Sequence, residues 1–508
     1  MAATPVWSVD PRTGKQREQV ALEATTGEVD QVVRAAHAAR ASLADRRVRA
    51  ALLRAAADLL DEAGPHVIEA ADAETALGPG RLTGELARTT AQFRAFADVI
   101  DEGSFLDIRI DHPDAGATPP RPDLRRYKLP LGVVAVYAAS NFPLAFSVPG
   151  GDTASALAAG CPVVVKAHPD HPATSELCAS VLHRAAEQVG LDPAVVSVVH
   201  GFDAGVALVK HPLVAAAGFT GSVRGGRALF DAAAARPVPI PFHGELGSLN
   251  PVVVTEAAAA ERAEEIGAGL AGSVTLGTGQ FCVKPGFVLA PTGPAGDALV
   301  KALTAAVSDS EAGVLLDHRM RDNFLTGVRE RAALTGVDVP VTPGAGGEHT
   351  VSAGFLTLPA ALLAADGEHD LLLEECFGPV TVVARYDSTD EVTAVLSRLP
   401  GNLTATLQVS AAEAAGEGAA AALLDELTPL AGRVLVNGWP TGVAVAPAQH
   451  HGGPYPATTS TSTSVGGTAV ERWLRPVAYQ STPDPLLPPE LREANPLGLP
   501  RRINGQPE

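Results

Sequence analysis

Apolar residues recur at helical spacing through residues 29–100, with Arg, Asp and Glu between them. Val33, Ala36, Leu43, Val48, Leu52, Leu53, Leu59 and Leu60 mark the buried stripe and predict a run of helices. From about residue 107 to 129 the pattern gives way to Pro-rich, charged sequence ending in Arg125-Arg126-Tyr127-Lys128, which reads as a linker or an exposed ribbon. Five apolar, β-branched runs follow: Val133 to Tyr137, Pro162 to Lys166, Val195 to His200, Ala215 to Thr220 and Pro237 to Phe242. Helical segments separate them, the clearest being Thr174 to Gly190. Nearly unbroken apolar strands alternating with helices predict a parallel sheet covered on both faces, of the doubly wound, nucleotide-binding type. A second α/β region runs from about residue 247 to 450, opening on Asn250-Pro251-Val252-Val253-Val254 and a helix around Arg262 to Leu270. Further strands are expected at Phe287 to Ala290, Val380 to Tyr386, Thr404 to Val409 and Arg433 to Asn437. Beyond residue 450 the sequence is irregular, and its Ser/Thr tract, Thr458 to Ser464, reads in isolation as a solvated loop.

The 508 residues exceed one small core, so two or three domains are expected. A net charge of −19 without a long basic run argues against nucleic acid and anionic membrane as partners, since both reward clustered Lys and Arg. No uninterrupted apolar stretch suggests a membrane span, and the start MAATPVWSVDPRTGKQ lacks the features of a secretory signal. The four cysteines, Cys161, Cys178, Cys282 and Cys376, are far apart with no CxxC pair, which suits a reducing compartment and offers neither a disulfide framework nor a zinc site. A soluble cytoplasmic protein is the expectation.

Four segments could carry chemistry. Cys282 lies in Leu276-Gly277-Thr278-Gly279-Gln280-Phe281-Cys282, where glycines allow close backbone approach to a ligand. It is a better nucleophile candidate than Cys161, placed in an apolar strand, Cys178, placed in mid-helix, or Cys376, which follows two carboxylates. Glu245, in His243-Gly244-Glu245-Leu246-Gly247, is either a surface carboxylate or a general base whose pKa a cleft would raise. Asn141 follows the first strand of the nucleotide-binding region, where it could cap a helix or donate its amide to an oxyanion. Gly218-Phe219-Thr220-Gly221-Ser222-Val223-Arg224-Gly225-Gly226 runs from strand to helix and suits a pyrophosphate, although it lacks the GxGxxG spacing.

Taken together, Ser140-Asn141-Phe142-Pro143-Leu144, Val165-Lys166, Phe219-Thr220-Gly221-Ser222, Glu245-Leu246-Gly247, Gly279-Gln280-Phe281-Cys282 and Glu374-Glu375-Cys376-Phe377-Gly378-Pro379 resemble the aldehyde dehydrogenase superfamily over essentially the whole chain. Pro149 to Leu157, Lys166-Ala167-His168-Pro169 and Gly452 to Thr459 resemble a narrower branch, the NADP-preferring 2,5-dioxovalerate (2-oxoglutarate semialdehyde) dehydrogenases and related fatty-aldehyde dehydrogenases. Branch members carry an Asp and an Arg within the tract that reads Thr459 to Ser464 here, a departure on the substrate side.

The resemblance implies a Rossmann-like cofactor domain at residues 1–109 and 131–246, a catalytic α/β domain at 247–450, and β-strands for oligomerisation at 110–130 and 470–482. A substrate-side loop at 451–469 and a C-terminal tail at 483–508 complete it, and the projecting strands imply a homodimer or homotetramer. It implies oxidation of an aldehyde to a carboxylic acid: Cys282 as nucleophile, Asn141 and the Cys282 N–H as oxyanion donors, and Glu245 as the base that activates water. A CoA-acylating relative would lack a carboxylate at Glu245, and a non-catalytic relative would have lost Cys282, Asn141 or Glu245. For the cofactor the resemblance points to Lys166, Gly221, Ser222, Gly226, Glu375 and Phe377. Where NAD-preferring relatives carry a Glu, this chain has Pro169 beside His168, which removes the repulsion to a 2′-phosphate and favours NADP while tolerating NAD. Arg88 is implied to face the substrate tunnel with Phe142 and Phe146, where it would pair with a substrate carboxylate; otherwise it is one surface Arg among many.

Overall fold

The computed structural model describes residues 4–508. Its first parallel sheet has the strand order Val196–Val199, Val163–Lys166, Val133–Tyr137, Val214–Thr220, Phe242–Glu245. Val133–Tyr137 is buried along its whole length, as its unbroken apolar run requires of a strand covered on both faces. The chain moves outward on one side of this strand, then returns to its other side. That reversal places a crevice at the carboxyl ends of Val133–Tyr137 and Val214–Thr220, the general ligand position of open α/β sheets.

Register decides which side chains share that edge. Tyr137 pairs with Lys166 on one side and Phe219 on the other, and Thr220 pairs with Glu245. Lys166 and Glu245 therefore reach the same end of the sheet, and Asn141 lies just beyond it. The last strand corrects the sequence expectation: Pro237 to Phe242 is not the strand, which instead runs Phe242–Glu245. Three prolines in the earlier run, Pro237, Pro239 and Pro241, remove ladder donors, so pairing begins only after them.

The second sheet has seven strands in the order Asp338–Val341, Gly354–Pro359, Val380–Tyr386, Phe287–Pro291, Pro251–Val254, Asn402–Gln408, Ala431–Val436. All its pairings are parallel except the first. The helix expected around Arg262 to Leu270 is longer, Glu256–Thr275, because Thr255 caps its first turn by accepting from Ala258 N–H at 3.1 Å.

The Pro-rich stretch forms the strands Ile108–Asp111 and Leu124–Pro130, which pair with each other and bury Ile108, Ile110 and Tyr127 on one face, so it is neither a linker nor a wholly exposed ribbon. Leu474–Gln480 adds antiparallel to Leu124–Pro130, and Arg501–Ile503 adds parallel to Ile108–Asp111. The C-terminal segment is thus more than an irregular tail, since it closes one side of this sheet. An N-terminal hairpin, Pro5–Asp10 with Lys15–Leu22, had no counterpart in the sequence pattern. Among the described residues no helix is long and apolar enough to cross a membrane.

Trp473 fastens the C-terminal segment to the first sheet. It is fully buried, its Nε1 donates to Ser155 Oγ at 2.8 Å, and its carbonyl accepts from Leu131 N–H at 2.9 Å. A Cβ on Gly218 would approach its ring to 3.0 Å, so Trp473 packs against the strand carrying the crevice. Trp473→Ala is expected to lower stability by about 3–5 kcal/mol, the usual cost of emptying an aromatic core position. Denaturant unfolding measures it, and a loss below about 1 kcal/mol would show that the segment is held elsewhere.

Candidate active site

A cavity of about 260 Å³ lies where the carboxyl edge of the first sheet meets the second domain. Its lining includes Cys282, His451, Arg88, Phe142, Phe146 and Phe281. Cys282 is therefore at a ligand-accessible wall. Two of the other cysteines are not: Cys178 is fully buried in the helix Pro172–Gln188, and Cys161 is fully buried in the turn before Val163–Lys166 rather than in the strand. Burial pushes their thiols up to about 12 and about 11.

The loop before Cys282 is folded tightly onto its neighbour. Thr278 and Gly279 adopt left-handed backbone, and a Cβ on Gly279 would lie 2.3 Å from the Gly378 carbonyl carbon, so only glycine fits. Gln280 braces the loop by accepting from Leu316 N–H at 2.9 Å and donating to the Val314 and Gly277 carbonyls. Asn250 Nδ2 donates to the Cys282 carbonyl at 2.9 Å and the Lys284 carbonyl at 3.0 Å, holding the nucleophile's backbone from below.

Asn141 is buried, and its Nδ2 donates to the Gln280 carbonyl at 3.0 Å. It caps no helix, because the next one begins only at Gly151. The bond ties the strand-end segment to the Cys282 loop and leaves the second amide N–H for a ligand.

Glu245 is also buried, which excludes the surface reading. His451 Nε2 donates to its Oε1 at 2.9 Å and Ser464 Oγ donates to its Oε2 at 3.0 Å. Sequence reasoning named neither partner. Burial drives the Glu245 carboxyl up, but His451, Ser464 and the Cys282 thiol together hold it below its ordinary value. The expectation of a raised pKa is thus corrected: the cleft supplies hydrogen-bond donors as well as desolvation. Cys282 feels the reverse. Burial, then the Glu245 and Glu375 carboxylates, push its thiol well above the ordinary 9.0, and Arg88 opposes them only weakly.

The Ser/Thr tract is not a solvated loop. Thr458, Thr463 and Ser464 are buried, Glu245 forms an antiparallel bridge with Thr458, and Thr459 Oγ1 accepts from Gly244 N–H at 2.8 Å. Short hydroxyl side chains satisfy the buried backbone here, which composition alone could not distinguish from solvation.

Arg88, on the helix Pro79–Glu102, lies over the Phe146 ring at 5.2 Å. Its Nε makes one long bond of 3.4 Å to the Val443 carbonyl, while both terminal guanidinium nitrogens are buried without a partner. Arg81, one turn pair earlier and unnamed by the sequence reading, is sandwiched between Phe142 and Phe281 at 5.0 and 4.6 Å. It donates to the Asn141 carbonyl at 2.5 Å. Glu85, between the two arginines, is occupied by the N–H groups of Leu144 and Ala145 at 2.8 and 2.9 Å.

The residues named for the cofactor differ in their surroundings. Lys166, His168 and Pro169 follow the edge of Val163–Lys166. Ser222 caps the helix Val223–Ala234, its Oγ accepting from Gly225 N–H at 3.2 Å, and Gly221 precedes it at the surface. Gly226 departs from the expectation. It is buried, and an added Cβ would meet Leu246 Cδ2 at 2.1 Å, so its smallness serves helix–strand packing and not a ligand. Glu375 and Phe377 come from the second domain, and a Cβ on Gly247 would lie 2.6 Å from Glu375 Oε2. Burial raises the Glu375 carboxyl to about 7 against the pull of Lys284.

These features fit a dinucleotide site: capped helix N-terminus, basic side chain at the sheet edge, and a carboxylate reaching over from the second domain. Comparison with known proteins agrees with that geometry. Residues 2–467 match the Aldehyde dehydrogenase family. The chain is 47% identical over 464 residues to alpha-ketoglutaric semialdehyde dehydrogenase 2 of Azospirillum brasilense, covering 91% of this chain and 87% of that protein. It is 41% identical over 490 residues to the alpha-ketoglutaric semialdehyde dehydrogenase of Acinetobacter baylyi, covering 95% and 92%. The fold is shared with 1-pyrroline-5-carboxylate dehydrogenase from Thermus with bound NAD, at TM-score 0.78 and 20% identity over 93% of this chain and 89% of that one. With a match spanning nearly its whole length, the chain belongs to the aldehyde dehydrogenase family and is an NAD(P)-dependent aldehyde dehydrogenase.

Proposed function

We propose that this enzyme oxidises 2-oxoglutarate semialdehyde (2,5-dioxopentanoate) to the dicarboxylic acid, with NADP preferred over NAD. The observation that carries the substrate is Arg88, whose two terminal guanidinium nitrogens are buried without a hydrogen-bond partner beside the cavity that Cys282 lines. Glu85 favours its charge but makes no ion pair with it, and a carboxylate at the far end of the substrate would supply a charge-assisted pair. The names of the two relatives support the same reading.

Cys282 Sγ attacks the aldehyde carbon to form a thiohemiacetal as the thiol proton passes to solvent. Its oxyanion accepts from the free Asn141 N–H and from the Cys282 backbone N–H. Lys166, His168, Pro169, Gly221, Ser222, Glu375 and Phe377 would hold NAD(P), which would supply the hydride acceptor. Loss of hydride leaves a thioester on Cys282. Glu245, ionised and buried, takes a proton from water as the water attacks that thioester. The acid departs, and the thiol is regenerated. Pro169 in place of a carboxylate supports the NADP preference, since a 2′-phosphate meets no like charge there. The exposed edge strand Leu474–Gln480 supports pairing with a second copy.

Kinetics of Arg88→Ala test the substrate. The kcat/KM for 2-oxoglutarate semialdehyde is expected to fall about 10- to 150-fold, matching a lost charge-assisted hydrogen bond of about 1.5–3 kcal/mol. A neutral medium-chain aldehyde should change by less than about 3-fold, because it gains nothing from the guanidinium. Equal losses on both would overturn the carboxylate role and favour a long-chain aldehyde in the aromatic cavity. The same assay with NADP and NAD decides the cofactor preference.

A further inference from the structure

We propose that Glu245, His451 and Cys282 form a three-ligand site for Zn²⁺, through which the metal reversibly locks the nucleophile. Cys282 Sγ is 3.8 Å from His451 Nε2, which is 2.9 Å from Glu245 Oε1. One ligand atom from each side chain lies within 4.8 Å of the other two. Tetrahedral zinc, with Zn–S near 2.3 Å and Zn–N or Zn–O near 2.0–2.2 Å, spaces its ligand atoms about 3.3–3.7 Å apart. The observed triangle is thus within about 1 Å of one face of that tetrahedron, a difference that side-chain rotation absorbs without moving backbone.

The donor set selects the metal. A thiolate, an imidazole and one carboxylate suit Zn²⁺, whereas Mg²⁺ and Ca²⁺ demand several oxygens. The two anionic ligands balance the ion's charge. Arg81, Arg88 and Arg433 oppose binding and Glu375 favours it, these being the charged groups that act on Cys282 from neighbouring elements. Each ligand is braced from behind, as a preformed site requires. Ser464 Oγ holds Glu245, Thr463 Oγ1 accepts from His451 N–H at 2.8 Å, and Asn250 holds the Cys282 carbonyl. The remaining coordination position opens on the cavity that Cys282 and His451 line.

On binding, the Cys282 thiol gives its proton to solvent and the Zn–S bond forms. The imidazole takes its Nδ1–H tautomer, so that the Nε2 lone pair meets the metal. Glu245 exchanges the His451 hydrogen bond for the ion. No oxidant or reductant is needed, and a chelator reverses the step. The inference needs the geometry of the three side chains and not the identity of the aldehyde.

Metal-free, reduced enzyme titrated with Zn²⁺ against a colorimetric indicator should bind one ion per chain. Bound Zn²⁺ should protect Cys282 from iodoacetamide, with EDTA restoring alkylation. Co²⁺ in its place should show a thiolate charge-transfer band and the intense visible bands of four-coordinate cobalt. His451→Ala and Glu245→Gln should each weaken Zn²⁺ binding by at least about 10-fold, the lower end of what loss of an outer-sphere partner costs. Alkylation of Cys282 in those metal-free variants reports that the thiol remains folded and accessible. Equal Zn²⁺ affinity in His451→Ala, or undiminished binding in Cys282→Ala, would overturn the site, as would the weak bands of octahedral cobalt. These readings do not depend on turnover, so their failure is separable from failure of the proposed substrate.

Discussion

Cys282→Ala is expected to abolish NAD(P) reduction with every aldehyde, while cofactor binding persists. Cys282 is the only cysteine among the described residues that lines the aromatic cavity. Cys161 and Cys178 are sealed in the core and Cys376 is not part of that cavity's lining, so no second thiol meets the substrate there. Removing a nucleophile that acts as one unit with its partners typically costs on the order of 10⁶ in kcat. The side chain is small and its loop is held through backbone, by Asn250 at the Cys282 carbonyl and by Gln280 one turn away. The substitution should therefore leave the fold, and with it the crevice of Lys166, Ser222 and Glu375, intact. Absorbance of the reduced cofactor measures turnover, and calorimetric titration measures binding. Sustained turnover in this variant would remove Cys282 from the mechanism. Loss of cofactor binding alongside activity would mean that the loop, and not the thiol, had been disturbed.

Glu245→Gln should separate the two halves of the reaction. Thiohemiacetal formation and hydride loss need Cys282 and Asn141, so one equivalent of reduced cofactor per site should appear rapidly. Hydrolysis of the thioester needs a base, and its loss typically slows a step by about 10²–10⁴-fold. The trace should show a burst followed by a much slower steady rate. Glutamine preserves the volume at this buried position and can still accept from Ser464 or His451, so collapse of the site is not the anticipated cause. A steady rate equal to that of the native enzyme, with no burst, would transfer the base role elsewhere. His451 would then be the first group to examine, since its Nε2 lies within 3.8 Å of the thiol.

How far the site was legible depends on what each residue type could signal. Cys282, Glu245 and Asn141 were legible because each lies in a short segment with distinctive neighbours, after a strand or within a glycine-rich turn. His451 was not. It stands in His450-His451-Gly452, a tripeptide without periodicity, and reaches Glu245 across 206 residues of chain. A histidine just before the Gly-Gly-Pro segment was the only signal. Arg81 was missed for a similar reason. It is one of several arginines on a helix read from apolar spacing, and only packing reveals that Phe142 and Phe281 enclose it. Gly226 was legible as a glycine needing close approach, but what approaches is Leu246 and not a ligand. The Ser/Thr tract misled because hydroxyl side chains are equally at home in water and against buried backbone.

The local pattern was sufficient for the two α/β regions. Val133–Tyr137 and Val380–Tyr386 match their predicted bounds, since an apolar run flanked by breakers leaves little freedom over where a buried strand begins and ends. Edges governed by prolines shifted, as at Phe242–Glu245, because pairing and not hydrophobicity sets where a ladder starts. Strand order, the pairing of the C-terminal Arg501–Ile503 with Ile108–Asp111, and the convergence of Glu245, His451 and Cys282 belong to the tertiary structure alone. The electrostatics belong there too. Sequence spacing suggested a Glu245 raised by a cleft, whereas the donors His451 and Ser464 lower it and the burden of burial falls on Cys282. A side chain's identity fixes which charges it can carry. Which one it does carry depends on partners that only folding brings within hydrogen-bond reach.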